Sequence, residues 1–399
     1  QRLRIISPEG KELGRIEIPG KLGEFEWSPD GEHLAFISGE TLNDPSAGRL
    51  MLAGKDGGAM TDLLPGLIGH VRGIEWFSKT DVMYIAHEGV EARVGSVTIS
   101  GTTIPALLKA GGPIWYDLSI GPAKAGAVLL ATTPEHPAEI YRVWNNGAVE
   151  PSRLTDSNPW LADVEFSQQE VVRYEARDGL EIEGLLVYPL DYEPGKRYPL
   201  ILAVHGGPEA HYSNGWLTRY SLPAQPAAAK GYFMFFQNYR GSTGRGVEFS
   251  MRGQGRYARE ECDDLVDGAD HLIELGMVDK DKVGITGGSY GGYASAWGAT
   301  YYSERFAAAV MYVGISEQIR KFGRPDIPQE MILVHSRAWA WQNWELFEDS
   351  SPVRYAERAQ TPILIMHGDS DPRVDPRQSE ILYRFLTLQD TPPPARQVR

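Results

Sequence analysis

The sequence has little cysteine: Cys262 is the single thiol among 399 residues. One cysteine excludes an internal disulfide and a zinc site built from several thiolates. The sequence also has no apolar run close to the roughly 18 residues that a membrane-spanning helix needs. We therefore expect a soluble protein without a membrane partner. The cysteine count leaves the cytoplasm, the periplasm and secretion equally open as compartments.

Positive charge is scarce as well. Lysine and arginine total 39 against 53 aspartates and glutamates, which gives a formal net charge of −14. Such a chain repels phosphate backbones, so no nucleic-acid partner is expected, although the charge equally fits simple solubility. Apolar residues make up 42% of the chain, which allows a large core, and the length predicts two domains. Homo-oligomerisation stays open, because neither charge nor composition decides it.

A weak repeat occupies the first part of the chain. Trp27 and Trp76 lie 49 positions apart, each shortly before a strand-like segment, and a third such unit begins near Trp115. A four-stranded propeller blade takes about 40 to 50 residues. We therefore predict that residues 1–165 form three to four blades of a β-propeller, with an ordinary β-sandwich as the alternative. Closed rings usually need more blades at this spacing, so the propeller is expected to be incomplete in this chain.

After residue 165 the pattern changes to alternating strands and helices. Strand-like apolar segments recur at 200–204, 232–236, 282–286, 307–312 and 363–366, and helical periodicity covers 260–275 and 290–300. This alternation predicts a second domain, over 166–399, with a mostly parallel sheet and helices on both faces. In the first of the two helices, four acidic side chains lie largely away from the apolar face: Asp263, Asp264, Asp267 and Asp270.

The strongest motif is Gly287-Gly288-Ser289-Tyr290-Gly291-Gly292. It contains G-x-S-x-G between a predicted strand and a predicted helix, which is the context of the nucleophile turn in an α/β-hydrolase. Small neighbours allow a sharp turn that exposes the Ser289 hydroxyl, and the backbone N–H of Tyr290 becomes an oxyanion donor. The second domain is therefore predicted to be an α/β-hydrolase. The alternative is a glycine-rich turn with a purely structural role. A phosphate-binding loop is excluded, because neither Lys-Ser nor Lys-Thr follows.

A candidate acid follows a later strand. α/β-Hydrolases place their triad in the order serine, acid, histidine, and the strand at 362–366 leads into His367-Gly368-Asp369-Ser370-Asp371-Pro372-Arg373-Val374. We predict Asp371 as the acid that orients the catalytic imidazole, with Asp369 and Asp375 as lesser candidates. A solvated turn or a weak cation site is the alternative for this cluster.

Two loops offer further oxyanion donors. His205-Gly206-Gly207-Pro208 follows a strand, and loops of this type donate a backbone N–H in many hydrolases. The hydroxyl of Tyr239, which follows the next strand, is the second candidate, because a fixed phenol can donate to a developing oxyanion. An aromatic ring that only packs at a strand end is the alternative for Tyr239.

Together these motifs resemble the prolyl oligopeptidase family of serine peptidases. The matching stretches are VHGGP (204–208), NYRGSTG (238–244), GGSYGGY (287–293) and HGDSDPRV (367–374). Within the family, the residues of these motifs are most similar to those of the acylaminoacyl-peptidase and dipeptidyl-peptidase branches. The resemblance implies Ser289 as nucleophile, Asp371 as acid, and Tyr239 with the Tyr290 amide as oxyanion donors. It also implies a propeller that restricts access to short peptides.

The sequence departs from the family at the general base. The family's catalytic histidine lies beyond the acid, whereas none of the nine histidines follows His367. His205 and His367 belong to other motifs, and His335 precedes the acid, which breaks the expected order. The catalytic histidine is therefore expected to lie outside this chain, which is interpreted as part of a longer enzyme and predicted to be inactive in isolation.

The predicted function is a serine peptidase that hydrolyses short peptides, from the N-terminus, through an acyl-enzyme. A carboxylesterase with the same triad and a non-catalytic scaffold are the alternatives. No cofactor and no metal is implied. Trp339, Trp341 and Trp344 are candidate substrate-binding residues that line an apolar pocket for the P1 side chain, and packing of a helical insertion explains them equally well.

Overall fold

The computed structural model describes residues 2–121, 126–144, 150–324 and 326–398, without the side chains of 105 and 106. The chain divides into two compact units. The first contains Gln1–Glu165, Ser213–Trp216 and Thr243–Met251, and the second contains Phe166–Tyr212, Leu217–Ser242 and Arg252–Arg399.

The first unit consists of antiparallel sheets that follow one another along the chain. One has two strands, β1 and β2, and the next three have four strands each: β3–β6, β7–β10 and β11–β14. The strands are β1 Arg2–Ile6, β2 Glu12–Glu17, β3 Leu22–Trp27, β4 His33–Ser38, β5 Arg49–Gly54, β6 Met60–Asp62, β7 His70–Trp76, β8 Asp81–Glu88, β9 Glu91–Thr98, β10 Thr103–Leu108, β11 Ile114–Ile120, β12 Gly126–Thr133, β13 His136–Trp144 and β14 Ser152–Arg153.

The turn between β3 and β4 forms because its residues favour a tight turn. The Ser28 hydroxyl donates to Asp30 Oδ1 at 2.7 Å, and Gly31 takes a positive φ of 73° that favours glycine. Successive sheets then pack through apolar side chains, with one buried cluster shared by the first and second four-stranded sheets and another by the second and third. The buried indole of Trp76 donates to the carbonyl of Glu26 at 3.0 Å, which ties the second sheet to the first.

The second unit is built on one eight-stranded sheet with the order β15-β16-β18-β17-β19-β20-β21-β22. The pairings β15–β16 and β16–β18 are antiparallel, and the other five are parallel. The strands are β15 Gln169–Glu175, β16 Glu181–Val187, β17 Tyr198–Val204, β18 Phe233–Asn238, β19 Val278–Gly288, β20 Ala308–Tyr312, β21 Ile363–Met366 and β22 Ala395–Val398.

The helices lie mostly between the parallel strands in sequence. They are α1 Ala224–Ala228, α2 Gly246–Ser250, α3 Glu260–Glu274, α4 Tyr290–Thr300, α5 Gln318–Gly323, α6 Pro328–Glu330, α7 Trp344–Asp349 and α8 Arg377–Thr387, and a π-helical turn covers Met331–Ser336. Within the described part of the chain, none of the helices combines the length and the apolar character that crossing a membrane requires.

Helix α3 differs from the amphipathic helix predicted for this segment. Its apolar face packs as expected, with Leu265 and Leu272 buried. Asp264, however, is fully buried, whereas the sequence pattern predicts it on the polar side of the helix. It is buried because Arg240, also buried, reaches it with two guanidinium nitrogens at 2.6 to 3.1 Å, so the charge is paired and hydrogen-bonded.

Candidate active site

Ser289 lies at the turn between β19 and α4. Its φ of 58° and ψ of −116° belong to a region that residues with a Cβ rarely occupy. The Ser289 N–H donates to the carbonyl of Tyr312 at 3.1 Å, and its own carbonyl accepts the first helical hydrogen bond, from Tyr293 at 2.9 Å. The strand before the serine and the helix after it thus hold the strained turn in place.

Glycines around Ser289 allow the backbone to pass close to neighbouring strands. A Cβ on Gly291 would lie 2.1 Å from the carbonyl oxygen of Val204, at the end of β17, and one on Gly292 would lie 2.3 Å from that of Tyr312, at the end of β20. Separations below 3 Å do not occur between real atoms of this kind. The two glycines therefore let α4 start directly against the parallel sheet, with Ser289 at its N-terminus.

The His205-Gly206-Gly207 turn lies beside the serine. A Cβ added to Gly206 would lie 3.3 Å from the Ser289 Cβ and 3.0 Å from the Gly288 carbonyl oxygen. Gly207 has a φ of 119°, a conformation suited to glycine. The structure therefore brings this loop next to the candidate nucleophile, as its motif led us to expect.

Tyr239 is buried beneath this loop. Its ring stacks on the imidazole of His205 at a centroid separation of 4.3 Å, and its hydroxyl donates to the His205 carbonyl at 3.0 Å. Burial raises the pKa of the Tyr239 phenol well above its ordinary value, so the group keeps its proton and remains a donor. In this conformation a carbonyl of the HGG loop already accepts that proton.

Tyr290 is connected to a carboxyl group that the sequence analysis did not single out. Its hydroxyl donates to Glu261 Oε1 at 2.7 Å, and the same oxygen accepts the backbone N–H of Ala258 at 2.6 Å. Glu261 is buried, and burial raises its pKa to about 7. Its Oε2 has no hydrogen-bond partner among the described residues. A lone glutamate on the first turn of a helix carries no sequence signal for this contact.

Asp371 lies on the turn after β21. Its Oδ1 accepts the backbone N–H groups of Arg373 at 2.9 Å and Val374 at 3.0 Å, which fix the carboxylate. The Asp371 side chain is 18% exposed, so its carboxylate remains partly accessible to solvent. Of the lesser candidates, Asp369 is exposed, and Asp375 pairs with Arg324 at 2.7 Å.

His205 of the HGGP motif and His367 of the HGDSDPRV motif have structural partners on both ring nitrogens. His367 donates from Nε2 to the carbonyl of Val374 at 2.9 Å and accepts the hydroxyl of Ser379 on Nδ1 at 2.7 Å. His205 donates from Nδ1 to the carbonyl of Gly206 at 2.8 Å, and its Nε2 lies 2.8 Å from the hydroxyl of Ser242. Burial lowers the pKa of His205 to about 4. Both rings therefore hold loops, which is a role separate from that of a general base.

A cavity of about 250 Å³ opens beside Ser289. Its lining also includes Gly207, Glu209, Tyr257, Tyr290, Ile315, Gln318, Lys321, Ile327, Glu330, Met331, His335 and Arg373. The lining contains both apolar and charged side chains, so the cavity is suited to a ligand with both kinds of group. Asp371 is outside this lining, as far as the described residues show. In the same residues, no group of three or more histidine, cysteine, aspartate or glutamate side chains is arranged to hold a metal ion.

The three predicted substrate-binding tryptophans form a separate cluster. Trp339 and Trp341 stack at a centroid separation of 4.7 Å, and Phe322 packs edge-on against both. Trp341 is 61% exposed and Trp344 is 51% exposed. In the described part of the chain, the lining of the Ser289 cavity includes none of the three.

The sheet and the serine turn together define a class of protein. A strained serine between a central parallel strand and the N-terminus of a helix is the nucleophile turn of the α/β-hydrolase class. Residues 218–398 match the model of the Prolyl oligopeptidase family. The resemblance inferred from the four motifs is thereby confirmed.

Curated relatives carry peptidase names. The uncharacterized peptidase YuxL of Bacillus subtilis is 33% identical over 272 residues, which are 68% of this chain and 40% of YuxL. Dipeptidyl-peptidase 5 of Porphyromonas gingivalis is 27% identical over 387 residues, which are 92% of this chain and 54% of that protein. The chain thus spans about half the length, or less, of these relatives.

Among solved structures, the acylaminoacyl peptidase of Pyrococcus horikoshii superposes with a TM-score of 0.80 at 24% identity, over 93% of this chain and 58% of that chain. At this identity the likeness supports the fold alone.

Proposed function

We propose that this chain carries the nucleophile of a serine peptidase that hydrolyses short peptides, from the N-terminus, through an acyl-enzyme. The observation that carries the proposal is Ser289 itself, a strained serine at a helix N-terminus beside a cavity. It lies within the segment that matches the peptidase family. The peptidase names of the curated relatives support the same class of reaction.

In the proposed mechanism, the Ser289 hydroxyl attacks the scissile carbonyl, and the N–H of Tyr290 stabilises the oxyanion that forms. The Tyr239 hydroxyl becomes a second donor when it turns from the His205 carbonyl towards the oxyanion. Asp371, with its carboxylate fixed by two backbone N–H groups, orients the imidazole that accepts and returns the proton. That histidine is the one member of the triad that we do not assign to a residue of this chain.

We further propose that residues 1–165 are blades of a β-propeller, incomplete in this chain, and that residues 166–399 are the hydrolase domain. Support for the blades comes from three consecutive four-stranded antiparallel sheets and the buried apolar clusters between them. A succession of small sheets packed face to face is typical of propellers.

A fluorophosphonate probe applied to the full-length protein tests the nucleophile. We expect labelling of Ser289 and no labelling of the Ser289→Ala variant, because the probe reports only an activated serine. An unlabelled wild-type protein would contradict the enzyme assignment and favour a scaffold.

Rates on matched p-nitroanilide and p-nitrophenyl ester substrates then separate a peptidase from a carboxylesterase, since an esterase would cleave only the ester. Digestion of a peptide library, read by mass spectrometry, tests release from the N-terminus. Products from internal cleavage alone would refute that part of the proposal.

A further inference from the structure

Helix α5 places a lysine in the wall of the Ser289 cavity. The Glu317 carboxylate caps this helix, since it accepts the backbone N–H groups of Ile319 at 2.8 Å and Arg320 at 3.0 Å. Lys321 follows and is 8% exposed, and it lines the cavity, whereas the neighbouring Arg320 is exposed to solvent. Successive residues of a helix point about 100° apart, so these two adjacent cations have different surroundings.

The ammonium group of Lys321 has an incomplete set of hydrogen-bond partners. Its Nζ donates to the carbonyl of Arg373 at 3.0 Å, on the turn that follows β21. A lysine ammonium carries three donors. Among the described residues, the other two have no acceptor, and no carboxylate lies within ion-pair distance of this nitrogen. Because Arg373 also lines the cavity, the charged end of Lys321 lies at the cavity wall.

The surroundings of Lys321 favour an incoming anion. Burial lowers its pKa, and the nearby guanidinium of Arg373 lowers it further. The carboxylates of Asp326, Asp371 and Glu330 attract the ammonium, but only from beyond ion-pair distance. The first of them lies 2.6 Å from the Arg373 guanidinium, with which it pairs. A nearly buried charge without a close partner is unfavourable, so an anion that enters the cavity is stabilised by pairing with Lys321.

The rest of the lining determines which kind of anion fits. Apolar surface comes from Ile315, Ile327 and Met331. Such walls suit an aliphatic stem, and they strengthen a charge pair by keeping the local dielectric low. The lining also carries the carboxylates of Glu209 and Glu330, which repel an anion. An acidic group is therefore favoured at Lys321 and disfavoured elsewhere in the cavity, which orients its carrier relative to Ser289.

We infer that Lys321 forms a subsite of the Ser289 cavity that binds a carboxylate of the substrate. This inference rests on the proposed peptidase function. Two groups of a short peptide share this chemistry, the side chain of aspartate or glutamate beside the scissile bond and the free α-carboxylate of the C-terminus. A charge-assisted hydrogen bond between ammonium and carboxylate is strong. A neutral amide in the same place would leave the ammonium without an anionic partner, which disfavours the neutral substrate.

Steady-state kinetics of the full-length protein test the inference, with wild type compared with Lys321→Met. The substrates are Ala-Glu and Ala-Gln p-nitroanilide, and the tripeptide Ala-Gln-Leu with a free or an amidated C-terminus, whose cleavage is followed by mass spectrometry. We expect kcat/KM of the variant to fall about 10- to 100-fold for the substrates that present the recognised carboxylate, the range for a hydrogen bond to a charged group, and to stay unchanged for the others. Methionine keeps the length of the stem, and replacing a buried charge with an apolar group need not destabilise the fold.

Arg320→Met is the matched control, because it removes an exposed cation from the same helix. It should leave the ranking of the four substrates as it is in the wild type. Fluorophosphonate labelling of Ser289 in Lys321→Met checks that the nucleophile is intact. The wild type alone provides a second measurement, since it should prefer one carboxylate substrate over its matched amide.

The four substrates distinguish the sources of the carboxylate. A selective loss on Ala-Glu p-nitroanilide identifies the acidic side chain, whereas a selective loss on the tripeptide with a free C-terminus identifies the α-carboxylate, and either result supports the inference. An equal loss on all four substrates, no loss on any, or a wild type without preference for a carboxylate overturns it. If the wild type cleaves none of them, the proposed function fails, which is a different result from cleavage without this preference.

Discussion

Replacing Gly291 with alanine should destabilise the hydrolase unit, although alanine is the better helix former. The added Cβ would lie 2.1 Å from the carbonyl oxygen of Val204 and 2.9 Å from its carbonyl carbon. Both atoms belong to the backbone of β17, so no side chain can rotate away and α4 has to shift. Such overpacking costs about 3 kcal/mol, while the helix preference of alanine returns about 1 kcal/mol, so we expect a net loss of about 2 kcal/mol.

Gly288 provides the matched control in the same motif. A Cβ there would meet its nearest neighbour, Tyr312 Cβ, at 3.8 Å, which is ordinary contact. We expect Gly288→Ala to change the free energy of unfolding by less than about 0.5 kcal/mol. Urea titration followed by far-UV circular dichroism compares both variants with the parent protein. Equal stability of the two variants, or a Gly291→Ala protein more stable than the parent, would refute the steric reasoning.

Three further predictions concern the same unit. Ser289→Gly should raise the free energy of unfolding by about 1 kcal/mol relative to Ser289→Ala, because only glycine relieves the positive φ, and equal urea midpoints would contradict this. Arg240→Ala should lose about 3 to 5 kcal/mol, since it leaves the buried Asp264 carboxylate unpaired, and a loss below 1 kcal/mol in the same titration would be incompatible with that pairing. The raised pKa of Glu261, about 7 against an ordinary 4.5, means that stability falls as pH rises through this window, by on the order of 3 kcal/mol. Urea titrations of Glu261→Gln between pH 5 and 8 should show a weaker dependence of the free energy of unfolding on pH. An unchanged dependence would mean that other groups cause it.

Much of the fold could be predicted because strand and helix signals are local. The strand predicted at 363–366 coincides with β21, and the helix predicted at 290–300 coincides with α4. The strand predicted at 282–286 is longer in the structure, Val278–Gly288. Its outer residues were missed because they include charged side chains that break the apolar run.

The site was only partly predictable. Ser289 and the HGG loop carry short motifs whose spacing is visible in the chain, and the structure does bring them together. Glu261 and His335 stand in segments without a motif, so their contacts with Tyr290 and Glu209 had no sequence signal. The tryptophan segment shows the opposite case, in which a conspicuous composition did not place Trp339 or its neighbours in the cavity lining.

The order of the elements, the change from antiparallel sheets to an alternating strand–helix region, and the serine turn could all be predicted from local sequence patterns. These follow from periodicity, from glycine positions and from motifs, which depend on neighbours along the chain. The tertiary structure decided which distant side chains meet. Glu209 and His335 approach to 2.6 Å, and Asp264 is buried against Arg240, because strands and helices from separate parts of the chain pack together there. Such contacts depend on crossovers and packing, which no local pattern encodes.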